Sequence, residues 1–245
     1  MNALALAVLL VPAARAASSS AAAGGSSLPE YAASTAPVTL DEVAARFSAF
    51  DARLLTLRAD FRQFVRLDGS DSTQQVEGSV LFKKPDLMLL THRLPEAQTV
   101  VSDGTWLWVY RPSTNQAIQT KLDQWRRSEP LAKGLLDFGR SADLLQRYAA
   151  SISTVSAPGA DGYRTFAVRL TPKPADRKAG DADFVLTLRA STRDFFPYES
   201  ELRVGRASIR STFSNVRLNP DIPDAVFRFT PPADADVFKT PGDSR

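Results

Sequence analysis

Few side chains in this sequence have the type and spacing that covalent chemistry requires. His92 is the only histidine, and no nucleophile turn of the serine-hydrolase kind lies near it, so a Ser-His-Asp arrangement is not expected. Glu199 and Glu201 stand two residues apart and could be imagined as the acid and base of a glycosidase. Arg203 continues the same strand face, which favours an outward-facing row of charges. The sequence therefore predicts a protein that is not an enzyme.

The composition excludes several other kinds of site. The chain has no cysteine, which removes disulfides, thiolate zinc sites and cysteine nucleophiles. One histidine is a poor ligand set for a transition metal, and no glycine-rich phosphate motif occurs, so neither a metal nor a cofactor is predicted. The 30 Lys and Arg residues are scattered among 27 Asp and Glu residues, without the basic stripe that nucleic-acid binding needs.

The elements that would position a binding site form one mainly β domain over residues 39–240. Thr39 and Glu42 make a capping box, and the apolar residues that follow recur at helical spacing, with Asp51 on the opposite, solvated face. The period then changes from 3.6 to two, which predicts about eleven strands in an up-and-down antiparallel sheet. Phe227 and Phe229 are expected to alternate inward in the final strand.

Two short helices interrupt the predicted strands. The first begins at the cap Ser128 and carries apolar side chains, namely Leu131, Leu135, Leu136 and Phe138. The second begins at Ser141. Helices inserted between strands must bury their apolar faces against the sheet, either as permanent core or as a cover that can lift. A β domain with such a cover and no reactive groups has the features of a carrier of an apolar ligand.

The stretch 100–110 reads as a hairpin with an aromatic second strand. Trp106 and Trp108 share one face of that strand, while Leu107 and Val109 share the other, because strand side chains alternate. The aromatic face is either ordinary core or part of a cavity wall, and we predict that part of it lines a cavity. If Leu107 and Val109 face the cover instead, this assignment of the lining is inverted.

The N-terminal residues indicate export. Residues 1–16 contain a short apolar run and end in an Ala-x-Ala-like pattern, which predicts a cleaved signal peptide and export of the protein. A membrane anchor is the competing interpretation, but the run is shorter than the roughly 20 apolar residues that span a bilayer. Residues 17–38 are rich in Ala, Ser and Gly and are predicted to be a flexible linker.

Several motifs, in this order and spacing, resemble those of the LolA family of periplasmic lipoprotein carriers. They are Ala59-Asp60-Phe61-Arg62-Gln63, Gly78-Ser79-Val80-Leu81-Phe82-Lys83-Lys84-Pro85, the hairpin Val101 to Tyr110, Ser128-Glu129-Pro130-Leu131, and Phe227-Arg228-Phe229-Thr230-Pro231-Pro232. The resemblance implies an incomplete antiparallel barrel, with a helical lid over a hydrophobic cavity that takes the acyl chains of a lipoprotein.

The resemblance also implies partners and site residues. The expected partners are an inner-membrane ABC complex that releases lipoproteins and a LolB-like receptor at the outer membrane, and the carrier is expected to be a monomer. The expected lipid-binding residues are Phe61, Met88, Leu90, Trp106 and Trp108, and the expected lid residues are Leu131, Leu135, Leu136 and Phe138.

Lys84 stands where many family members have an arginine that contacts the lid. It is either a weaker lid latch, because lysine lacks the planar fork of arginine, or an ordinary surface lysine. Met88 and Leu90 occupy positions where the family often has aromatic residues. Two alternatives to lipoprotein carriage remain: a lipid-binding sensor domain of the RseB type, and a carrier of another amphiphile.

Overall fold

The computed structural model describes residues 31–33, 36–70, 72–128, 138–174 and 183–240. Within these ranges the helices are α1 (Leu40–Arg53), α2 (Leu122–Ser128) and α3 (Ser141–Arg147). The strands are β1 (Thr56–Leu67), β2 (Thr73–Lys83), β3 (Leu87–Leu94), β4 (Gln98–Asp103), β5 (Trp106–Arg111), β6 (Gln116–Lys121), β7 (Ala149–Val155), β8 (Thr165–Thr171), β9 (Phe184–Ser191), β10 (Pro197–Val204), β11 (Ala207–Leu218) and β12 (Asp236–Lys239).

All described strands belong to one sheet, in the order β12-β6-β5-β4-β3-β2-β1-β11-β10-β9-β8-β7. Neighbouring strands are antiparallel, as in the β1–β2 pair, except that β12 runs parallel to β6. Strands β12 and β7 stand at the two ends of this order, so the sheet is unclosed. The predicted architecture, an incomplete and mainly antiparallel barrel with few helices, is confirmed.

Helix α1 lies along the inner face of the sheet. The hydroxyl of Thr39 accepts a hydrogen bond from the backbone N–H of Glu42 at 3.2 Å, as the capping pattern predicted. Val43 and Phe47 are buried in one apolar cluster with β8, β9 and β10, whereas Phe50 is buried in a second cluster with β1 to β5. One amphipathic helix therefore closes both halves of the interior.

The outer face of the central strands carries paired charges. Glu199 lies between Arg189 and Arg210, at 2.9 Å and 2.8 Å, and Arg203 contacts Glu201 at 2.7 Å. The outward charge row predicted for β10 is confirmed by these ion pairs. The two glutamates are engaged by arginines rather than facing each other across a substrate groove.

Residues 219–235, here called the C-terminal strap, cross the outer face of β3 and β4. Lys83 fixes the strap, because its Nζ donates to the carbonyl of Ile222 at 3.0 Å and lies 2.6 Å from the carboxylate of Asp224. Ile222 and Phe227 are buried. The predicted inward-alternating strand is not formed at Phe227, because Asp224–Phe227 is a 3₁₀ turn that follows Pro223.

None of the helices in the described ranges has the length and apolar character that a bilayer crossing requires. The same ranges hold no group of three His, Cys, Asp or Glu side chains arranged to bind a metal ion.

The chain makes ordered contacts before the predicted domain start at Thr39. The ring of Tyr31 meets that of Phe195 edge-on at 5.5 Å, and the guanidinium of Arg46 lies 4.2 Å from the Tyr31 ring.

Candidate functional site

The inner face of β1 to β5 is an apolar surface that the fold presents to its interior. Phe61, Met88 and Leu90 lie there together, in the cluster that also holds Leu107 and Val109. They come together because residues two apart along a strand point the same way and because β3, β4 and β5 are hydrogen-bonded neighbours. Three of the five predicted cavity residues therefore share one surface.

Trp106 and Trp108 lie on the opposite face of β5. Leu107 and Val109 are buried in the inner cluster, whereas the ring of Trp108 packs on Phe229 of the C-terminal strap, at 5.6 Å between ring centres. Trp106 shares the Trp108 face by alternation. The predicted lining is therefore corrected: Leu107 and Val109 take the inner positions, because the strap covers the aromatic face from outside.

Phe138 is the predicted lid residue that the structure describes, and Leu131, Leu135 and Leu136 lie outside the described residues. The Phe138 ring lies 5.8 Å from Phe82 and 5.5 Å from Phe213, centre to centre. It lines two small cavities at once, one of about 20 Å³ beside Met88 and one of about 40 Å³ beside Leu144. Phe138 thus separates two voids of the inner face.

Lys84 joins the β2–β3 turn to α1. Its Nζ donates a hydrogen bond to the backbone carbonyl of Asp51, and its side chain runs beside Gly139. A Cβ at Gly139 would lie 2.9 Å from Cε of Lys84, and φ at this glycine is +73°, so a larger residue would meet both the lysine and backbone strain. Lys84 is therefore half-buried and bonded, in contrast to an ordinary surface lysine.

The carboxylate of Asp51 is buried, although the sequence pattern placed it on the solvated face of α1. Its Oδ2 accepts a hydrogen bond from the backbone N–H of Ala142 at 2.8 Å. Burial raises the pKa of Asp51, and the N–H groups of Ala142 and Ser141 and the charge of Lys84 oppose that rise. The helical period missed this role because the partner, the start of α3, is distant in sequence.

Asp86 forms a second polar contact that the sequence pattern did not reveal. Its carboxylate lies 2.6 Å from the guanidinium of Arg126 and 3.3 Å from that of Arg140. These residues line the smaller cavity together with Met88 and Phe138. Arg126 lies in α2 and Arg140 immediately precedes α3. The aspartate therefore links both ends of the helical insertion to the start of β3.

His92 has an apolar environment at the other end of the inner face. Its ring meets that of Phe61 edge-on, with 5.6 Å between centres, and its buried Nδ1 has no hydrogen-bond partner among the described residues. Burial lowers the pKa of His92 from 6.5 to about 4. The imidazole is therefore neutral near pH 7 and contributes no charge to the inner face.

Comparison with known proteins gives consistent relatives. Residues 52–230 match the family described as outer membrane lipoprotein carrier protein LolA. An outer-membrane lipoprotein carrier protein of Dechloromonas aromatica is 31% identical over 183 residues, covering 74% of this chain and 80% of that protein. One of Albidiferax ferrireducens is 28% identical over 188 residues, covering 75% and 84%. The crystal structure of a LolA superfamily protein from Nitrosomonas europaea is 15% identical, covers 79% of this chain and 99% of that one, and has a TM-score of 0.40.

Proposed function

The chain belongs to the LolA family of outer-membrane lipoprotein carriers, and from this premise we propose that it binds the acyl chains of lipoproteins on the inner face of β1 to β5. The observation that supports this site is the shared surface of Phe61, Met88, Leu90, Leu107 and Val109. Such a surface is apolar, as lipid sites are. The proposed function is carriage without covalent chemistry.

The proposed route runs through the periplasm. A signal peptide at residues 1–16 would direct export, an inner-membrane ABC complex would release the lipoprotein to the carrier, and a LolB-like receptor would accept it at the outer membrane. Transfer in this direction needs only a difference in affinity between carrier and receptor. The proposal treats the carrier as a monomer, because one apolar face with one cover is sufficient to shield acyl chains.

Among the described residues, Phe138 is a side chain that an entering acyl chain would have to displace. The two voids that it lines measure about 20 and 40 Å³, which is room for a few water-sized groups rather than for an acyl chain. We therefore expect Phe138 and the residues before it to act as the lid, with Lys84 as the latch that holds α1 beside Gly139.

A matched pair of photo-crosslinking variants tests the proposed site. Phe138 and Phe229 are both phenylalanines, one on the inner side and one in the strap on the outer side, so each can be replaced by the same photoreactive phenylalanine analogue. Irradiation of living cells should link lipoproteins to position 138 and not to position 229. Equal capture at the two positions would contradict the site. Capture of a regulatory protein without any lipoprotein would favour the RseB-type alternative.

A further inference from the structure

Asp51 contacts three elements at the rim of the inner face. Its carboxylate Oδ2 accepts a hydrogen bond from the backbone N–H of Ala142, in the first turn of α3, at 2.8 Å. Its backbone carbonyl accepts the hydrogen bond from Lys84, in the β2–β3 turn. Since Asp51 itself belongs to the last turn of α1, this one residue links a helix, a sheet turn and a second helix.

Helix α3 takes its N-terminal cap from this carboxylate. The residue before the helix, Arg140, makes no capping hydrogen bond with its side chain. The first N–H groups of a helix have no partner within the helix, and a negative charge beside them is favourable through both the hydrogen bond and the helix dipole. With 7 residues, α3 is too short to be stable alone, so tertiary contacts of this kind must set its position.

The contact crosses the seam that must widen when the interior is filled. The cavity of about 40 Å³ is lined by Phe50 of α1, by Leu54 just after α1, by the segment that holds Phe138, Ser141 and Leu144, and by residues of the sheet. Moving α1 and the segment 138–144 apart would enlarge that cavity. The hydrogen bond from Ala142 to the Asp51 carboxylate joins these same two parts of the chain, and it would have to break.

The contact is also built in a way that allows it to break. Oδ1 of Asp51 is buried and has no hydrogen-bond partner among the described residues, so only part of the cost of desolvating the carboxylate is recovered. The carboxylate therefore holds α3 through one oxygen while its other oxygen favours release.

We propose that Asp51 is a positioning residue, whose carboxylate holds α3 against α1 and so sets how readily the inner face opens to an acyl chain. The proposal rests on the carrier function proposed above. It adds the Asp51 carboxylate to Lys84 as a second group that holds the closed form. A charged hydrogen bond of this kind corresponds to about a tenfold change in the ratio of closed to open molecules.

The absence of cysteine makes a direct measurement possible. Cysteines placed at the exposed positions Ser48 of α1 and Gln146 of α3 can carry two spin labels in the otherwise cysteine-free protein, and pulsed EPR then gives the distance between the helices. Asp51→Leu should broaden and lengthen this distance distribution. It should also tighten binding of the uncharged apolar fluorophore N-phenyl-1-naphthylamine by up to about tenfold, because the open form becomes more populated.

Three further variants separate this role from a general loss of stability. Asp51→Asn keeps an acceptor oxygen and should restore the wild-type distance. Ala142→Pro removes the N–H that donates to the Asp51 carboxylate, at a first-turn position whose N–H has no partner within the helix, and should shift the distance in the same direction as Asp51→Leu even where that variant folds poorly. Asp143→Asn changes an exposed carboxylate of the same turn and should have no effect.

An unchanged distance in both Asp51→Leu and Ala142→Pro would overturn the positioning role, and so would an Asp51→Asn variant as open as Asp51→Leu. The spin-label distances are measured on cargo-free protein. If they respond as expected while wild-type protein fails to keep a purified lipoprotein soluble, the carrier function is refuted and the closing contact is not.

Discussion

The pH dependence of stability offers a sharp test of the inner face, through His92. The His92 imidazole packs against Phe61, and a proton gained there would place a positive charge in an apolar environment. Burial therefore lowers the pKa of His92 from 6.5 to about 4. Between these two values the unfolded chain binds a proton that the folded protein does not. The contribution of His92 to stability is therefore complete above pH 6.5 and is lost as the pH falls toward 4.

The size of the effect follows from the shift. Each pKa unit corresponds to about 1.4 kcal/mol, so His92 should cost the folded state about 2 kcal/mol by pH 5 and about 3 kcal/mol in full. Since domains of this kind are stable by roughly 5 to 15 kcal/mol, such a loss is readily measured.

The assay compares the wild type with His92→Phe, which keeps a ring beside Phe61 but cannot titrate. Urea unfolding of both proteins from pH 7.5 to pH 4.5 should show the wild type losing stability relative to the variant as the pH falls, while carboxylate titrations cancel in the difference. Because the chain has one histidine, its imidazole proton resonance gives the folded pKa directly by NMR. A midpoint near 6.5, or a pH-independent difference between the two proteins, would refute the buried placement of His92.

Three other substitutions, two of them paired with a milder control substitution, have expected results that urea unfolding can check. Gly78→Ala would place a Cβ about 2.7 Å from the Phe61 ring, and this overpacking should lower the free energy of unfolding by about 2 kcal/mol or more. Ser79→Ala, the control, should be neutral. Glu199→Gln should cost about 1 to 2 kcal/mol, because two arginines lose a buried carboxylate, and the more exposed Glu201→Gln less. Thr39→Ala should cost about 1 kcal/mol through loss of the α1 cap; no change would contradict that capping role.

Local patterns in the sequence were sufficient to predict most elements of this fold, but not the helix Leu122–Ser128 or the strand Asp236–Lys239. The cap of α1, the strand periods and the Asp-Gly hairpin depend on residues a few positions apart, and the structure has each of them. Alternation also predicted correctly that Trp106 and Trp108 share a face. It did not predict which face is inner, because that depends on where residues 219–235 lie. The partner Phe229 is more than 100 positions away from these tryptophans.

Burial of charge was the other feature that local patterns missed. Asp51 stands on the polar side of the α1 period, and a helical projection places it in water. The structure buries it because the first turn of α3 brings unpaired N–H groups to the same place. The contacts of Asp86 were missed for the same reason, since its two arginine partners lie 40 and 54 positions further along the chain. A projection of one helix or strand cannot show partners supplied by another element.

The two voids beside Phe138 indicate what controls the affinity of such a carrier. An apolar face gains about 0.8 kcal/mol for each methylene that it buries, so ten methylenes would contribute about 8 kcal/mol whatever the detailed lining. Against this gain stand the contacts that must first be broken: the ring of Phe138 between Phe82 and Phe213, and the polar contacts of Asp51 and Asp86. Substitutions among these closing residues should therefore change the affinity for acyl chains more than equal-sized substitutions among Met88, Leu90 and Val109.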